Sequence, residues 1–488
     1  MRIYDLDLPL GTEGKPRRAH LIGVCGSGMK ALAEFLLDAG WHLSGSDRQV
    51  PGPGVRSLVS RGLKFYRGHD ARHVPSDADL VVYSPAVDEE NCERQAAASQ
   101  GIPQLSYAEV LGLLSQEHQA ICVAGTHGKS STTAMTAWLL QFAGLSPSAI
   151  VGAELVGSGL SGWAGHGTHF VVESCEYRRS FLNLQPYFGA VLGIEADHFD
   201  CFETEVQLVK AFEEFAQQVP RDGLLLLRAD CAHCRRLAQV SSAPIETFSL
   251  DLDSRPNWWA ADLRRMEGGG YRFRVFYDGE YFAELALPLP GRHNVLNALA
   301  ATALAFHAGV EPAEIREGLV TFPGVRRRFQ VVGTWRGIIF VDDYAHHPTA
   351  VRAALQTAKE CFGQRRIWCV FQPHQLSRLS RLMDEFAASF DDADHVLVTP
   401  VFAARERVSC QVGALASELA EKISLRGLSA RYVSSLDQAI TTLEDETLPG
   451  DVVIAIGAGD ITRVTHEFTG RIQRHPAEES AACTLNVA

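Results

Sequence analysis

The run Ala120-Ile-Cys-Val-Ala124-Gly125-Thr126-His127-Gly128-Lys129-Ser130-Ser131 constrains this chain more than any other. Its first five residues are apolar and read as a buried strand. The residues Met135, Trp138, Leu139 and Phe142 that follow read as one face of a helix. Glycine between strand and helix lets backbone N–H groups approach phosphate oxygens closely. The helix N-terminus adds partial positive charge at the same place. Lys129 supplies a full charge for the terminal phosphates, and the hydroxyl of Ser130 can reach a divalent cation. Gly125, Thr126, His127, Gly128 and Ser131 complete the cradle. Val123 stands where the strict phosphate-loop pattern has glycine. A strand, a phosphate loop and a helix in that order point to an α/β fold.

A chain of 488 residues has room for about three domains. The net charge of −13 argues against nucleic acid as a partner, because a phosphate backbone needs a basic surface. It leaves small anions open, since those answer to local glycine loops and arginines. No apolar run is long enough to span a bilayer, and residues 1–18 lack the apolar centre of a signal peptide. Eleven cysteines without framework spacing read as reduced thiols of a cytoplasmic enzyme. Cys231-Ala-His-Cys234 has metal-like spacing, but no second Cys/His pair lies nearby.

Three blocks follow one another. In the first, His20-Leu-Ile-Gly23 is a strand entering the turn Gly26-Ser27-Gly28-Met29. A helix comes next, and then a second strand ending at Asp47. The acid lies 19 residues after Gly28, the spacing at which a carboxylate meets a ribose hydroxyl. Leu80-Val-Val-Tyr is a later strand with Ser84 at its end. In the second block, strands end on Glu173 and on the cluster Glu195-Ala-Asp197-His198, as chemistry at the C-terminal ends of parallel strands requires. Tyr271, Phe273 and Val275 alternate with arginines before Asp278-Gly279, which predicts a β-hairpin. Gly291-Arg-His293-Asn294-Val-Leu-Asn297 opens an alanine-rich helix. In the third block, strands at 337–341, 367–371, 396–399 and 452–456 alternate with helical patterns starting near Thr349, Leu379, Val412 and Leu436, so a mostly parallel sheet is expected. The polar tail after about Ile472 is expected to be loosely ordered.

The order of these strings resembles the Mur ligase family of peptidoglycan-building enzymes. The resemblance is carried by Gly23-x-x-Gly26-Ser27-Gly28-Met29, Gly125-Thr-His-Gly-Lys129, Glu195-Ala-Asp-His198 and Gly291-Arg-His-Asn-x-x-Asn297. It continues through Arg327-Arg328-Phe329-Gln330, Asp342-Asp343-Tyr-Ala-His346-His347-Pro-Thr349, Phe371-Gln-Pro-His374 and Gly457-Ala-Gly-Asp-Ile461. It implies three α/β domains. Residues 1–118 would be a Rossmann-like domain binding a UDP-sugar, 119–325 a P-loop ATPase with a mostly parallel sheet, and 326–488 a Rossmann-like domain binding an amino acid.

The implied reaction is ATP-dependent amide formation between UDP-N-acetylmuramate and L-alanine through an acyl phosphate. Lys129 would bridge the β and γ oxygens. Ser130, Glu173 and His198 would hold two magnesium ions, with manganese as the alternative metal. His293, Asn294 and Asn297 would lie on the adenine side, with helix capping as the competing explanation for Asn294. Arg328 would reach the γ-phosphate, with Arg327 beside it, and Asp343 would contact ribose or phosphate. His346 and His374 would place the incoming amino acid. The glycine turn Gly26 to Met29, with Asp47 and Ser84, would hold the UDP-sugar.

The chain departs from the family pattern at several places. Cys175-Glu176-Tyr177-Arg178 replaces Asp-Glu-Ser-Asp, Cys25 and Gly193 replace glycine and asparagine, and Gln375-Leu376 replaces arginine-tyrosine. Without that arginine the amino-acid carboxylate falls to Arg378 or Arg381. Two further readings stay open: a ligase that attaches a preformed tripeptide to the same sugar nucleotide, and a non-catalytic paralogue that binds UDP-sugar.

Overall fold

The computed structural model describes residues 17–404, 406 and 411–474. Of the tail expected to be loose after about Ile472, Gln473 and Arg474 end the helix Thr462–Arg474, and the rest lies outside the described residues, as do residues 1–16. Contacts divide the chain into two compact units, the first comprising 1–194, 209–259 and 299–318, the second 195–208, 260–298 and 319–488.

The first unit holds a parallel sheet and a mostly parallel one, in which Gly162–Trp163 runs antiparallel to Ser148–Ile150. Strands β1 (Arg18–Ile22), β2 (His42–Asp47), β3 (Lys64–Arg67), β4 (Leu80–Tyr83) and β5 (Gln104–Ser106) line up in the order β3-β2-β1-β4-β5, all parallel. Residues 19–22 of β1 are buried without alternation, as a strand covered on both faces must be. The chain then turns at Gly23 into the helix Ser27–Asp38. Gly23 has φ +86°, and a Cβ there would come within 2.9 Å of the Ser84 Cβ, so no larger residue fits. The second sheet is built on β6 (Gln119–Ala124), β7 (Ser148–Ile150), β8 (Gly162–Trp163), β9 (His169–Glu173), β10 (Phe188–Val191), β11 (Leu224–Arg228) and β12 (Ile245–Ser249). Strand β6 sits between β9 and β10, parallel to both. This central place puts the loop after Ala124 at the C-terminal edge of the sheet, where phosphate sites form.

Strand β13 (Trp258–Arg265) begins beside β12. In the second unit β14 (Tyr271–Tyr277) and β15 (Glu280–Leu287) form the predicted hairpin. Asp278 and Gly279 both have positive φ, 49° and 87°, as a tight two-residue turn requires. The unit's main sheet comprises β16 (Gln330–Trp335), β17 (Ile338–Asp343), β18 (Ile367–Phe371), β19 (His395–Val398), β20 (Ser429–Tyr432) and β21 (Val452–Ile456), in the order β16-β17-β21-β18-β19-β20. Alternate residues feed two cores: Ile339, Val341, Cys369, Phe371 and Ile454 pack on one face, and Ile338, Phe340, Trp368, Val370 and Val453 on the other. The four strands and four helices read from sequence are all present; two strands match their expected bounds, and the other ends shift by up to three residues, most at the helix expected near Leu379, which starts at Leu376. The edge strands β16, which is antiparallel, and β20 went unread. No helix is long and apolar enough to cross a membrane among the described residues.

Candidate active site

The phosphate loop is clamped from beneath. Leu192 N–H donates to the Ala124 carbonyl at 3.0 Å, and Thr126 N–H donates to the Gly193 carbonyl at 2.9 Å. Gly125, at φ +131°, lies so close that a Cβ would stand 2.9 Å from the Leu192 nitrogen. Gly128, at φ +80°, is the N-cap of the helix Lys129–Phe142. Ser130 and Ser131 are buried in its first turn.

Lys129 folds back over this loop. Its Nζ donates to the carbonyls of Gly125 and Thr126 and to both oxygens of Glu176, at 3.0 and 3.1 Å. Burial pulls the lysine pKa down, but the Glu176 and Glu173 carboxylates outweigh this and hold it above its ordinary value, so the ammonium is secure. Glu176 itself is almost wholly buried. It is the acid that the departing segment Cys175–Arg178 keeps. Arg178, with φ +50°, donates from its guanidinium to the Pro85 carbonyl at 2.7 Å, next to Ser84.

Glu173 ends β9 opposite Val123 of β6. Its Oε2 accepts the Gly152 N–H at 2.7 Å. A hydroxyl at Ser130 and a carboxylate at Glu173 are hard oxygen donors, the kind that suits magnesium. His198, expected as the companion ligand, belongs to the second unit, whereas Glu173 belongs to the first.

The glycine turn after β1 is shaped by β2. Gly23 and Val24 N–H groups both donate to the Ser46 carbonyl, at 2.8 and 3.2 Å. One oxygen of Asp47 accepts Cys25 N–H and the other Gln49 N–H, each at 2.9 Å. Spacing alone assigned Asp47 to a ribose hydroxyl; here both its oxygens serve the turn. Gly26 and Ser27 are exposed at the start of the helix. A Cβ on Gly28 would strike the Tyr107 ring at 2.9 Å. Met29, expected among the ligand contacts, is instead a core residue, 2% exposed, supporting the turn from below. The Ser84 hydroxyl follows β4 and accepts Ala86 N–H at 3.4 Å.

The second unit gathers a different set of groups around Asp197. Arg378 Nε donates to Asp197 Oδ1 at 2.7 Å, and its Nη1 donates to the His374 carbonyl at 3.0 Å and lies 3.1 Å from His374 Nδ1. His198, at φ +53°, donates its backbone N–H to the same Asp197 oxygen at 2.7 Å. The His346 and His374 rings stand 5.8 Å apart, and Phe402 stacks on His374. Burial would raise the Asp197 pKa, but Arg378, His198 and His346 hold it well below the carboxylate range. Burial and the Arg378 charge keep His346 neutral, its pKa well below the usual value. So His198, His346, His374 and Arg378, each singled out in the sequence, meet at one buried carboxylate. Asp197 was quoted within a string but given no role. Its chemistry became visible only with Arg378, 181 residues away.

The arginine pair divides its work. Arg327, at φ +59°, donates to the Gly457 and Gly459 carbonyls at 2.6 and 3.3 Å, so it is anchored. The Arg328 guanidinium lies 5.1 Å over the Tyr344 ring. Asp343, expected at ribose or phosphate, is turned inward. Its two oxygens accept Phe329 and Ala345 N–H groups, each at 2.7 Å, and so fix the segment entering β16. Asn294 donates to the Pro290 carbonyl at 2.7 Å and accepts from Asn297 at 3.3 Å, which is the bonding that opens a helix. Gly291, at φ +89°, lets His293 fold back against it, since a Cβ would lie 2.6 Å from the imidazole.

Comparison with known proteins accounts for this layout. Three family models match in series: "Mur ligase family, catalytic domain" over 18–119, "Mur ligase middle domain" over 123–305 and "Mur ligase, glutamate ligase domain" over 327–459. The UDP-N-acetylmuramate–L-alanine ligase of Alkaliphilus metalliredigens is 37% identical over 92% of this chain and 96% of its own length. That of Clostridium novyi is 38% identical over 93% and 97%. Among solved structures, UDP-N-acetylmuramate-alanine ligase from Thermotoga maritima superposes with a TM-score of 0.79 at 28% identity, covering 94% of this chain and 99% of that one. A murein peptide ligase from Psychrobacter arcticus gives 0.70 at 25% identity, covering 93% and 98%. Phosphate loop, strand-end acids and three-sheet α/β architecture thus have one explanation: this chain belongs to the Mur ligase family.

Proposed function

We propose that the chain is an ATP-dependent amide ligase that joins L-alanine to UDP-N-acetylmuramate in the cytoplasm, as a step of peptidoglycan precursor synthesis. The observation that carries this reading is the phosphate loop with Lys129 drawn over it, beside Glu173 and Glu176, in a chain so similar to L-alanine ligases. In this reading 1–118 holds the UDP-sugar, 119–325 holds ATP and 326–488 holds the amino acid.

The chemistry sets what these residues must do. A carboxylate resists attack by an amine, because its charge and resonance repel a nucleophile. Phosphorylation converts it to an acyl phosphate with a good leaving group. Carboxylate and γ-phosphate repel each other, so fixed positive charge must hold them together. Lys129 supplies that charge at the loop, and Arg328 is the guanidinium assigned to the γ-phosphate. Magnesium held by Ser130 and Glu173 would supply further charge neutralisation. Arg378 is suited to the alanine carboxylate, as a buried guanidinium already bonded to one. Burial and the Arg378 charge disfavour the protonated form of His346, which suits it to placing the amino acid and not to taking up the amine's proton.

The test is phosphate release by the purified chain with ATP, magnesium and UDP-N-acetylmuramate. Release is expected only when L-alanine is added. Release with a tripeptide and not with L-alanine would move the chain to the recycling class. No release with any amino acid or the tripeptide, with UDP-sugar still bound, would make it a binding protein.

A further inference from the structure

The pair Cys231 and Cys234 plays no part in the reaction above. The nine cysteines among the described residues are all free thiols. Only these two stand three apart at the start of a helix, Ala232–Leu237, with Cys231 as its N-cap. The Cys234 thiol is hydrogen-bonded to the Cys231 sulfur, so the two sulfurs already meet. Cys231 is partly exposed and Cys234 fully buried, so one sulfur meets solvent reagents and the other waits behind it.

Both sulfurs touch the segment after β10 that clamps the phosphate loop. The single S–H of Cys234 is shared between the carbonyl of Val191, the last residue of β10, at 3.8 Å, and the Cys231 sulfur. Cys231 Sγ accepts from Ile194 N–H three residues further on. Between them, Leu192 and Gly193 make the two hydrogen bonds that clamp Ala124 and Thr126. The Cys234 thiol and the N–H groups of Cys234, Ile194 and His233 hold the Cys231 thiol down to about 5, so the thiolate dominates at neutral pH. Hydrogen bonding to Cys231 and burial keep Cys234 protonated. A low-lying, reachable thiolate with a protonated thiol one turn away is the arrangement of an attacking and a resolving cysteine.

We propose that Cys231 and Cys234 form a redox-sensitive dithiol whose oxidation by hydroperoxides loosens the phosphate loop. The Cys231 thiolate attacks a peroxide oxygen: an S–O bond forms, the O–O bond breaks, and the leaving hydroxide takes a proton to become water. The Cys234 sulfur then attacks the sulfenic sulfur: an S–S bond forms, the S–O bond breaks, and the departing hydroxide leaves as water with the Cys234 proton. Two thiols lose two electrons, and hydrogen peroxide becomes two waters. The disulfide has no S–H to give the Val191 carbonyl and no thiolate to accept Ile194 N–H. The 191–194 segment loses both tethers, and the loop bonded to it follows. The effect on the loop rests on the ATP reading; formation of the disulfide does not.

The test treats the full-length reduced protein with hydrogen peroxide and maps cysteines by differential alkylation and mass spectrometry. A Cys231–Cys234 disulfide is expected at peroxide doses that leave Cys92 and Cys175 alkylatable, both being exposed. The KM for ATP is expected to rise several-fold on oxidation and return with dithiothreitol. Cys231→Ser and Cys234→Ser are each expected to keep the reduced enzyme's activity and lose the response. Oxidation of other cysteines first, or a mapped disulfide with unchanged ATP KM, overturns the proposal. An inactive reduced protein would instead count against the ligase reading, and the mapping would still decide whether the disulfide forms.

Discussion

Lys129 and Glu176 form an ion pair at 3.0 Å, with side chains only 12% and 2% exposed, across the mouth of the phosphate loop. The carboxylate offsets the lysine's charge and fixes where its ammonium stands. The pair therefore has two functions, holding the loop together and presenting Lys129.

These functions separate by substitution. Lys129→Ala is expected to cut phosphate release at least about 10²-fold, the scale of losing one preorganised charge contact. It also takes the Lys129 charge away from the buried Glu176 carboxylate, which costs up to about 3–5 kcal/mol of stability. Adding Glu176→Gln to Lys129→Ala is expected to restore much of the melting temperature and none of the activity. Melting curves and phosphate release on the single and double variants check both halves.

The sequence made the loop legible because strand, glycine and lysine are contiguous, and made the parallel sheets legible because βα units repeat. It hid Lys129–Glu176, since Glu176 falls in a segment that reads as a departure, and it hid Asp197–Arg378 across 181 residues. A strand-end position does not by itself tell a ligand contact from an acid that holds its own backbone. Asp47 and Asp343 sit at strand ends, as ligand contacts do, yet both carboxylates accept neighbouring N–H groups. Only hydrogen-bond accounting separates the two uses. The edge strands β16 and β20 lack the fully buried apolar run of β17 and β18, so they gave no pattern to read.

Asp197 should make the second unit sensitive to acid. Its pKa in the folded protein lies well below the unfolded value, through Arg378 and the neighbouring histidines against the opposing effect of burial. A carboxylate shifted downwards adds stability that is present above its unfolded pKa, about 4, and is lost as pH falls below that. The melting temperature is expected to drop between about pH 5 and pH 3. Asp197→Asn should start lower at neutral pH, because Arg378 is left buried without a counter-charge, and should flatten that slope. Calorimetry across the pH range decides it, with an unchanged slope counting against Asp197 as its source.

Two arginines compete for the amino-acid carboxylate. Arg378 is 2% exposed and bonded to Asp197 and His374. Arg381 donates to the Glu203 carbonyl and lies 4.9 Å over the Phe199 ring. Arg378→Lys keeps the charge and loses the planar fork. Loss of one charge-assisted hydrogen bond costs about 1.5 kcal/mol, so the KM for L-alanine is expected to rise about tenfold. Arg381→Gln is expected to leave it within about twofold. The reverse ranking in steady-state kinetics would transfer the role to Arg381.

Gly152 controls where Glu173 points. Its N–H holds the Glu173 Oε2 at 2.7 Å, and a Cβ at this position would stand 2.2 Å from that oxygen. The atom in the way is the end of a flexible side chain, so Gly152→Ala pushes the carboxylate aside and leaves the backbone in place. Stability should change by about 1 kcal/mol or less. The cost falls on the cation, whose oxygen donor has moved. The magnesium concentration for half-maximal phosphate release is expected to rise several-fold, with a melting temperature close to that of the parent chain. A large fall in melting temperature with unchanged magnesium dependence would mean that Gly152 serves packing, and that Glu173 is no cation ligand held by its N–H.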